Sequence, residues 1–142
     1  LGPTDTLVHD DLHDGHIFVQ PGDDGPRYRF FDYGDGCVGH PFFQLIAPQR
    51  FYARAYDELE LDEMVVQSLY ELYTSAWGDM PATDRRRALQ LALAIGPLIR
   101  ALTWYNALDP HYPDIEPELM GHYARGMGYW LSELVTRCEN CD

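Results

Sequence analysis

Leu7-Val8-His9-Asp10-Asp11-Leu12-His13-Asp14-Gly15-His16-Ile17-Phe18-Val19 and, beyond one turn, Phe30-Phe31-Asp32-Tyr33-Gly34-Asp35-Gly36 are the two stretches that decide how this chain is read. Each places a run of polar, chemistry-bearing residues beside a β-prone segment. Leu7-Val8-His9 is a short strand candidate, Ile17-Phe18-Val19-Gln20 a better one, and Arg27-Tyr28-Arg29-Phe30-Phe31, which alternates polar and aromatic residues, the best. Between the last two, Pro21-Gly22-Asp23-Asp24-Gly25-Pro26 has the composition of a turn, so a hairpin over residues 17–31 is predicted. Pairing in that hairpin would bring His9, Asp11, His13 and His16 towards Asp32 and Asp35. Strand ends and the turns after them are where a rigid scaffold presents side chains to a cleft.

Phosphoryl transfer asks for this kind of inventory. A carboxylate must orient and deprotonate the attacking hydroxyl, and oxygen-rich ligands must hold a divalent cation against the phosphates. The order His9-x-Asp11, a further residue five positions after Asp11 (His16), a hairpin, and then Asp32-Tyr33-Gly34-Asp35 resembles the aminoglycoside phosphotransferase and choline kinase-like family. That family's pattern runs H-x-D-L-H-x-x-N, a hairpin, D-aromatic-G-D, a small-residue loop and a Pro-led helix. The specific motifs occupy residues 7–43, and the downstream helices follow in the same order.

The resemblance implies an α+β fold: the mainly helical C-terminal lobe of a protein-kinase-like fold, with a small β-hairpin bearing the catalytic and metal-binding loops. Residues 1–36 would be the catalytic loop and hairpin, and residues 41–137 the helical subdomain. It implies Asp11 as catalytic base, His9 as a residue bracing the loop, Asp32 as the principal Mg²⁺ ligand, and position 16 as a second metal and cofactor contact. ATP (or GTP) would supply the γ-phosphoryl group, and a hydroxyl of a small molecule, such as an amino sugar or another cationic alcohol, would receive it. The chain departs from the pattern at His16, which stands where the family has Asn. An imidazole nitrogen is a poorer partner for Mg²⁺ than an amide oxygen, which points to weak activity, to a preference for a metal such as Mn²⁺, or to lost catalysis. The Gly-rich loop, lysine and glutamate with which the family holds ATP would lie in an N-terminal lobe upstream of Leu1. The 142 residues alone are therefore expected to be inactive.

Two other readings compete. One is a pseudokinase-type module that binds without transferring phosphate, supported by His16. The other is a metal-dependent hydrolase using His9, Asp11, His13 and His16, since such sites mix imidazole with carboxylate.

From Pro41 the apolar period becomes helical. A helix is predicted over Phe42–Tyr56, led by Pro41 and kinked or divided at Pro48. A second carries the stripe Leu61, Val65, Leu69 and Leu72 and ends near Trp77-Gly78. A third, with Thr83 as N-cap, carries Leu91, Ile95, Leu98, Leu102 and Tyr105 across Gly96-Pro97. A fourth, over Glu116–Thr136, carries Leu119, Tyr123, Met127, Trp130 and Leu134. The stripes are expected to bury against one another as a bundle, with Trp77, Trp104 and Trp130 in or beside the core.

The net charge of -13, from 23 acidic and 10 basic residues, repels phosphate backbones and argues against a nucleic-acid partner. All ten basic residues are arginines, so no lysine of this chain can serve a triphosphate. Asp57, Glu58, Glu60, Asp109 and Asp114 are candidate acids for a cationic acceptor. No run of about 18 apolar residues and no signal-peptide pattern is present, so a cytoplasmic location without membrane insertion is expected. Three cysteines are too few for a disulfide framework, and Cys138-x-x-Cys141 reads as a frayed tail. Arg85-Arg86-Arg87 reads as a solvated face. His40, His111 and His122 show no partner pattern.

Overall fold

The computed structural model describes residues 3–51, 63–108 and 116–139. The protein is α+β, with two small antiparallel sheets and a majority of helix. It divides into two compact units, Leu1–Ala88 and Leu89–Asp142.

In the first unit, β1 (Thr6–Val8) pairs with β4 (Cys37–Gly39), and β2 (Ile17–Gln20) pairs with β3 (Arg27–Phe30). The β2–β3 hairpin is the predicted one, closed by a turn in which Gly25 adopts φ 117, a conformation open to glycine and costly for other residues. β4 stands where sequence pattern predicts a loop. Cys-Val-Gly has almost no strand signal of its own and is extended because β1 lies beside it, in the register Thr6↔Gly39, Leu7↔Val38 and Val8↔Cys37.

A 3-10 helix follows over Pro41–Leu45, with His40 as its N-cap: His40 Nδ1 accepts the Phe42 N–H at 3.2 Å. α-Helix continues over residues 46–51. The predicted break at Pro48 falls instead at Leu45/Ile46. Pro48 sits in the first α-turn, where its missing N–H costs nothing. The remainder of that predicted helix, to Tyr56, lies outside the described residues.

Val8, Phe42, Leu45, Ile46, Ala47 and Tyr70 form the core of this unit. α1 (Glu63–Ser75) contributes Tyr70, and its Tyr73 hydroxyl donates to the Pro41 carbonyl at 3.0 Å. Phe42, Tyr73 and Trp77 meet ring to ring at centroid separations of 5.2 to 6.5 Å. Burial raises the Tyr73 hydroxyl to a pKa of about 12.

α2 (Ala82–Asn106) runs through Gly96 and Pro97, both buried. It starts one residue before the predicted cap. The Pro81 carbonyl takes the first N–H groups, from Asp84 and Arg85, and Thr83 lies inside the first turn. Arg85 folds back to the Met80 carbonyl at 2.6 Å, while Arg86 and Arg87 are exposed as predicted.

In the second unit, α3 (Pro117–Glu139) lies antiparallel to the α2 segment of that unit. Trp104 contacts His122 and Tyr123, Arg100 stands over the Trp130 ring at 5.8 Å, and Arg137 donates to the Leu93 carbonyl. The helices approach so closely at Gly126 that a Cβ there would run into the Trp104 ring. Cys138 belongs to the last turn of α3 rather than to a frayed tail, and Cys141 and His111 lie outside the described residues.

The bundle of buried stripes does not form as predicted. Val65, Leu69 and Leu72 are exposed, as are Leu91, Ile95, Leu98, Leu102 and Tyr105. The face of α2 that is buried is narrow: Ala92, Gly96, Pro97, Arg100 and Ala101. Small residues let two helix backbones approach, so the contact line follows them and not the bulky aliphatics. Only on α3 does the predicted stripe turn inward, at Tyr123, Met127, Trp130 and Leu134. By length and composition α2 is also the one helix among the described residues that could cross a membrane. Its Arg100, two turns before the C-terminus, is buried against Trp130.

Candidate functional site

Two ladders frame the polar segments. Val8↔Cys37 closes the β1–β4 ladder and Ile17↔Phe30 the β2–β3 ladder. The segment 9–16 leaves β1 and enters β2, while the segment 31–36 leaves β3 and enters β4. Both therefore span the same gap in opposite directions and must lie side by side. The Phe31 N–H donates to the His16 carbonyl at 3.2 Å and carries the hairpin pairing into the gap.

His9 fastens the two segments together. It is 2% exposed; its Nε2–H donates to the Phe31 carbonyl at 2.7 Å, and its ring lies 4.4 Å from that of Tyr33. The His9 N–H donates to Gln44 Oε1 at 2.8 Å, tying the same segment to the 3-10 helix. A buried side chain held in this way positions its neighbours rather than meeting a substrate.

The backbone turns sharply on either side. Asp10 and Asp32 both have φ 63, the left-handed region, which Asp tolerates better than most residues but at about 1 kcal/mol. Asp10 is buried. Cys37 is pushed up from its usual thiol pKa, first by burial and then by the Asp10 charge.

Asp11, His13 and His16 gather on the half-buried side of this turn, with one potential ligand atom from each lying within 4.8 Å of the others. A 3-10 turn over Asp14–His16 sets the two imidazoles close: His13 is its N-cap, accepting the Gly15 N–H on Nδ1 at 3.1 Å. The rings of His13 and His16 are 3.8 Å apart, with Phe51 covering His13 at 4.9 Å. His16 bridges the two segments. Its Nδ1–H donates to the Asp11 carbonyl at 2.9 Å, and its Nε2 faces Asp32 Oδ2 at 3.5 Å. Asp32 is largely exposed, and Asp14 more so.

The predicted site residues His9, Asp11, His16 and Asp32 thus occur in one place, with His16 between the two acidic residues. Asp32 is not one of the three residues whose ligand atoms cluster. Sequence reading did not single out Gln44, the Phe31 carbonyl or Phe51. Gln44 lies 35 positions from His9, and a carbonyl or an aromatic wall has no motif. The candidate acceptor acids Asp57, Glu58, Glu60, Asp109 and Asp114 lie outside the described residues.

The cluster offers a half-buried carboxylate beside two imidazoles, and an exposed carboxylate across a histidine from it. Such a set can accept a proton and hold a cation. No protein-family model, no curated protein and no solved structure matches the chain.

Proposed function

We propose that this chain carries the catalytic loops of a phosphotransferase of the aminoglycoside phosphotransferase and choline kinase-like kind, moving the γ-phosphoryl group of ATP or GTP to a hydroxyl of a small cationic molecule. One observation carries the reading. His9 and His16 hold the segments 9–16 and 31–36 against each other, so the carboxylates of Asp11 and Asp32 are presented from adjoining turns. Asp11 acts as the base: as the acceptor oxygen bonds to phosphorus and the bond to the leaving nucleoside diphosphate breaks, the hydroxyl proton passes to Asp11. His9 is a positioning residue. The net charge of -13 favours a cationic acceptor.

The donor set fits the expected Mg²⁺ only in part. Asp32 offers the oxygen that Mg²⁺ prefers, but the neighbouring donor is the His16 nitrogen, which suits Mn²⁺ better. A bound divalent cation would supply charge neutralisation for the phosphates, with Asp32 and His16 as its holders.

The natural full-length protein, including the N-terminal ATP-holding lobe that the reading requires, should transfer labelled phosphate from ATP or GTP to an amino sugar or amino alcohol, more strongly with Mn²⁺ than with Mg²⁺. His16→Asn should move that preference towards Mg²⁺. Nucleotide binding with no transfer to any acceptor, unchanged by His16→Asn, would make the chain a binding module and overturn the proposal.

A further inference from the structure

We propose that Asp11, His13 and His16 form a binding site for a borderline transition-metal ion, of the Zn²⁺ or Co²⁺ class. Its donor set, one carboxylate oxygen and two imidazole nitrogens, is the one such ions select and Mg²⁺ does not.

His16 is already set as a ligand. Because its Nδ1–H is committed to the Asp11 carbonyl at 2.9 Å, the proton of the neutral ring resides there and Nε2 carries the lone pair. A histidine whose second nitrogen donates to a carbonyl is the usual arrangement behind a bound metal. His13 gives up less than its hydrogen bond suggests. Its Nδ1 accepts the N–H of Gly15, an exposed residue, and water can take over that N–H when the nitrogen turns to an ion.

The spacing is close to what coordination needs. Ligand atoms about 2.0–2.2 Å from a tetrahedral ion stand roughly 3.3–3.6 Å apart. The three donors lie within 4.8 Å of one another, and all three residues are half-buried, which limits competing water. Each imidazole also faces a further carboxylate: Asp14 Oδ1 is 3.6 Å from His13 Nδ1, and Asp32 Oδ2 is 3.5 Å from His16 Nε2. These two acids lie outside the cluster and add negative charge around the ion, whose fourth position is left to water.

Metal capture here does not depend on the phosphotransferase reading. If that reading holds, the ion occupies the Asp11 carboxylate and removes the base, so Zn²⁺ inhibits transfer. The Phe51 ring lies against His13 on one side of the site.

The test is titration of the metal-free protein with Co²⁺, read by its visible absorption and by calorimetry. One equivalent should bind with the intense visible band of a low-coordinate site, and Zn²⁺ should displace it. His16→Ala and His13→Asn should each weaken binding about tenfold or more. His13→Asn retains the cap acceptor for Gly15 while removing the imidazole, so it separates lost coordination from a collapsed turn. His122→Ala, in the second unit, should change nothing. Co²⁺ affinity unaffected by either substitution at positions 13 and 16, in variants that retain the parent thermal midpoint, overturns the site. Failure to bind Co²⁺ also overturns the site while leaving phosphate transfer with Mn²⁺ or Mg²⁺ standing, and failure of transfer leaves the Co²⁺ result standing.

Discussion

The turn region of the first unit and the helix pair of the second are held by opposite means. Around His9 the chain is fixed by directed bonds over long sequence separations, His9 to Phe31 and to Gln44, with two aspartates in the left-handed region. Between α2 and α3 it is fixed by close approach of small residues and by Trp104 and Trp130 filling the space beside them. Directed bonds set the position of a few atoms tightly, which chemistry requires. Close packing sets how near two helices lie and leaves the rest of their surfaces free to vary.

That contrast can be broken by substitution. The largest effect is expected at Asp11. If the proposed transfer holds, Asp11→Asn should lower its rate by about 10²–10⁴-fold while moving stability by less than about 0.5 kcal/mol, measured by steady-state kinetics and by denaturant unfolding. Near-parent activity would remove Asp11 as the base. In the helix pair, Gly126→Ala meets the Trp104 ring and should cost about 2–3 kcal/mol in chemical denaturation. His9→Ala removes a buried bond and opens a cavity beside Tyr33. It should cost about 2 kcal/mol and lower activity together with it, the mark of a residue that acts through its neighbours.

A finer comparison sets two adjacent positions of α2 against each other. Leu102→Ser, on the exposed side, should stay within about 0.5 kcal/mol of the parent. Ala101→Leu, on the buried side, should cost about 1–3 kcal/mol. The reverse order would restore the aliphatic stripe as the packed face.

The smallest effect is expected with pH. Burial lowers the His40 pKa below its ordinary 6.5, against a smaller opposing pull from Asp5, and neutral His40 caps the 3-10 helix through Nδ1. Protons therefore bind the unfolded chain more readily in the window just below pH 6.5. Stability present above that pH should fall as pH drops towards the folded value. His40→Asn, which keeps a cap acceptor without a titrating ring, should flatten the dependence of the thermal midpoint on pH between about 7.5 and 5.

The two regions also differ in how far they could be read in advance. The β2–β3 hairpin is local: alternating residues flank a Gly/Pro/Asp turn, so neighbouring positions state the pairing and bring His16 towards Asp32, whereas His9 and Asp11 join them only through the β1–β4 ladder. β4 was not legible, because Cys37-Val38-Gly39 is extended only through its pairing with β1, about 30 residues earlier. On α2, periodicity located the helix but chose the wrong face. Counting bulky aliphatics assumes that the most apolar stripe is buried, whereas the close helix contact at Gly126 selects the small one.

What the amino-acid order determined by itself is the kind of chemistry available and the local elements that carry it. Imidazoles and carboxylates stand at strand ends, the hairpin has its own turn, and helical periodicity begins after Pro41. What only the tertiary structure decided is which donors share a centre and which helix faces are covered. His16, between Asp11 and Asp32, is aimed by a carbonyl five residues away and by a ladder closed with a distant strand. The physical reason is range. Turn and helix preferences act between near neighbours in the chain, while side-chain convergence depends on contacts whose closure only the folded whole makes favourable.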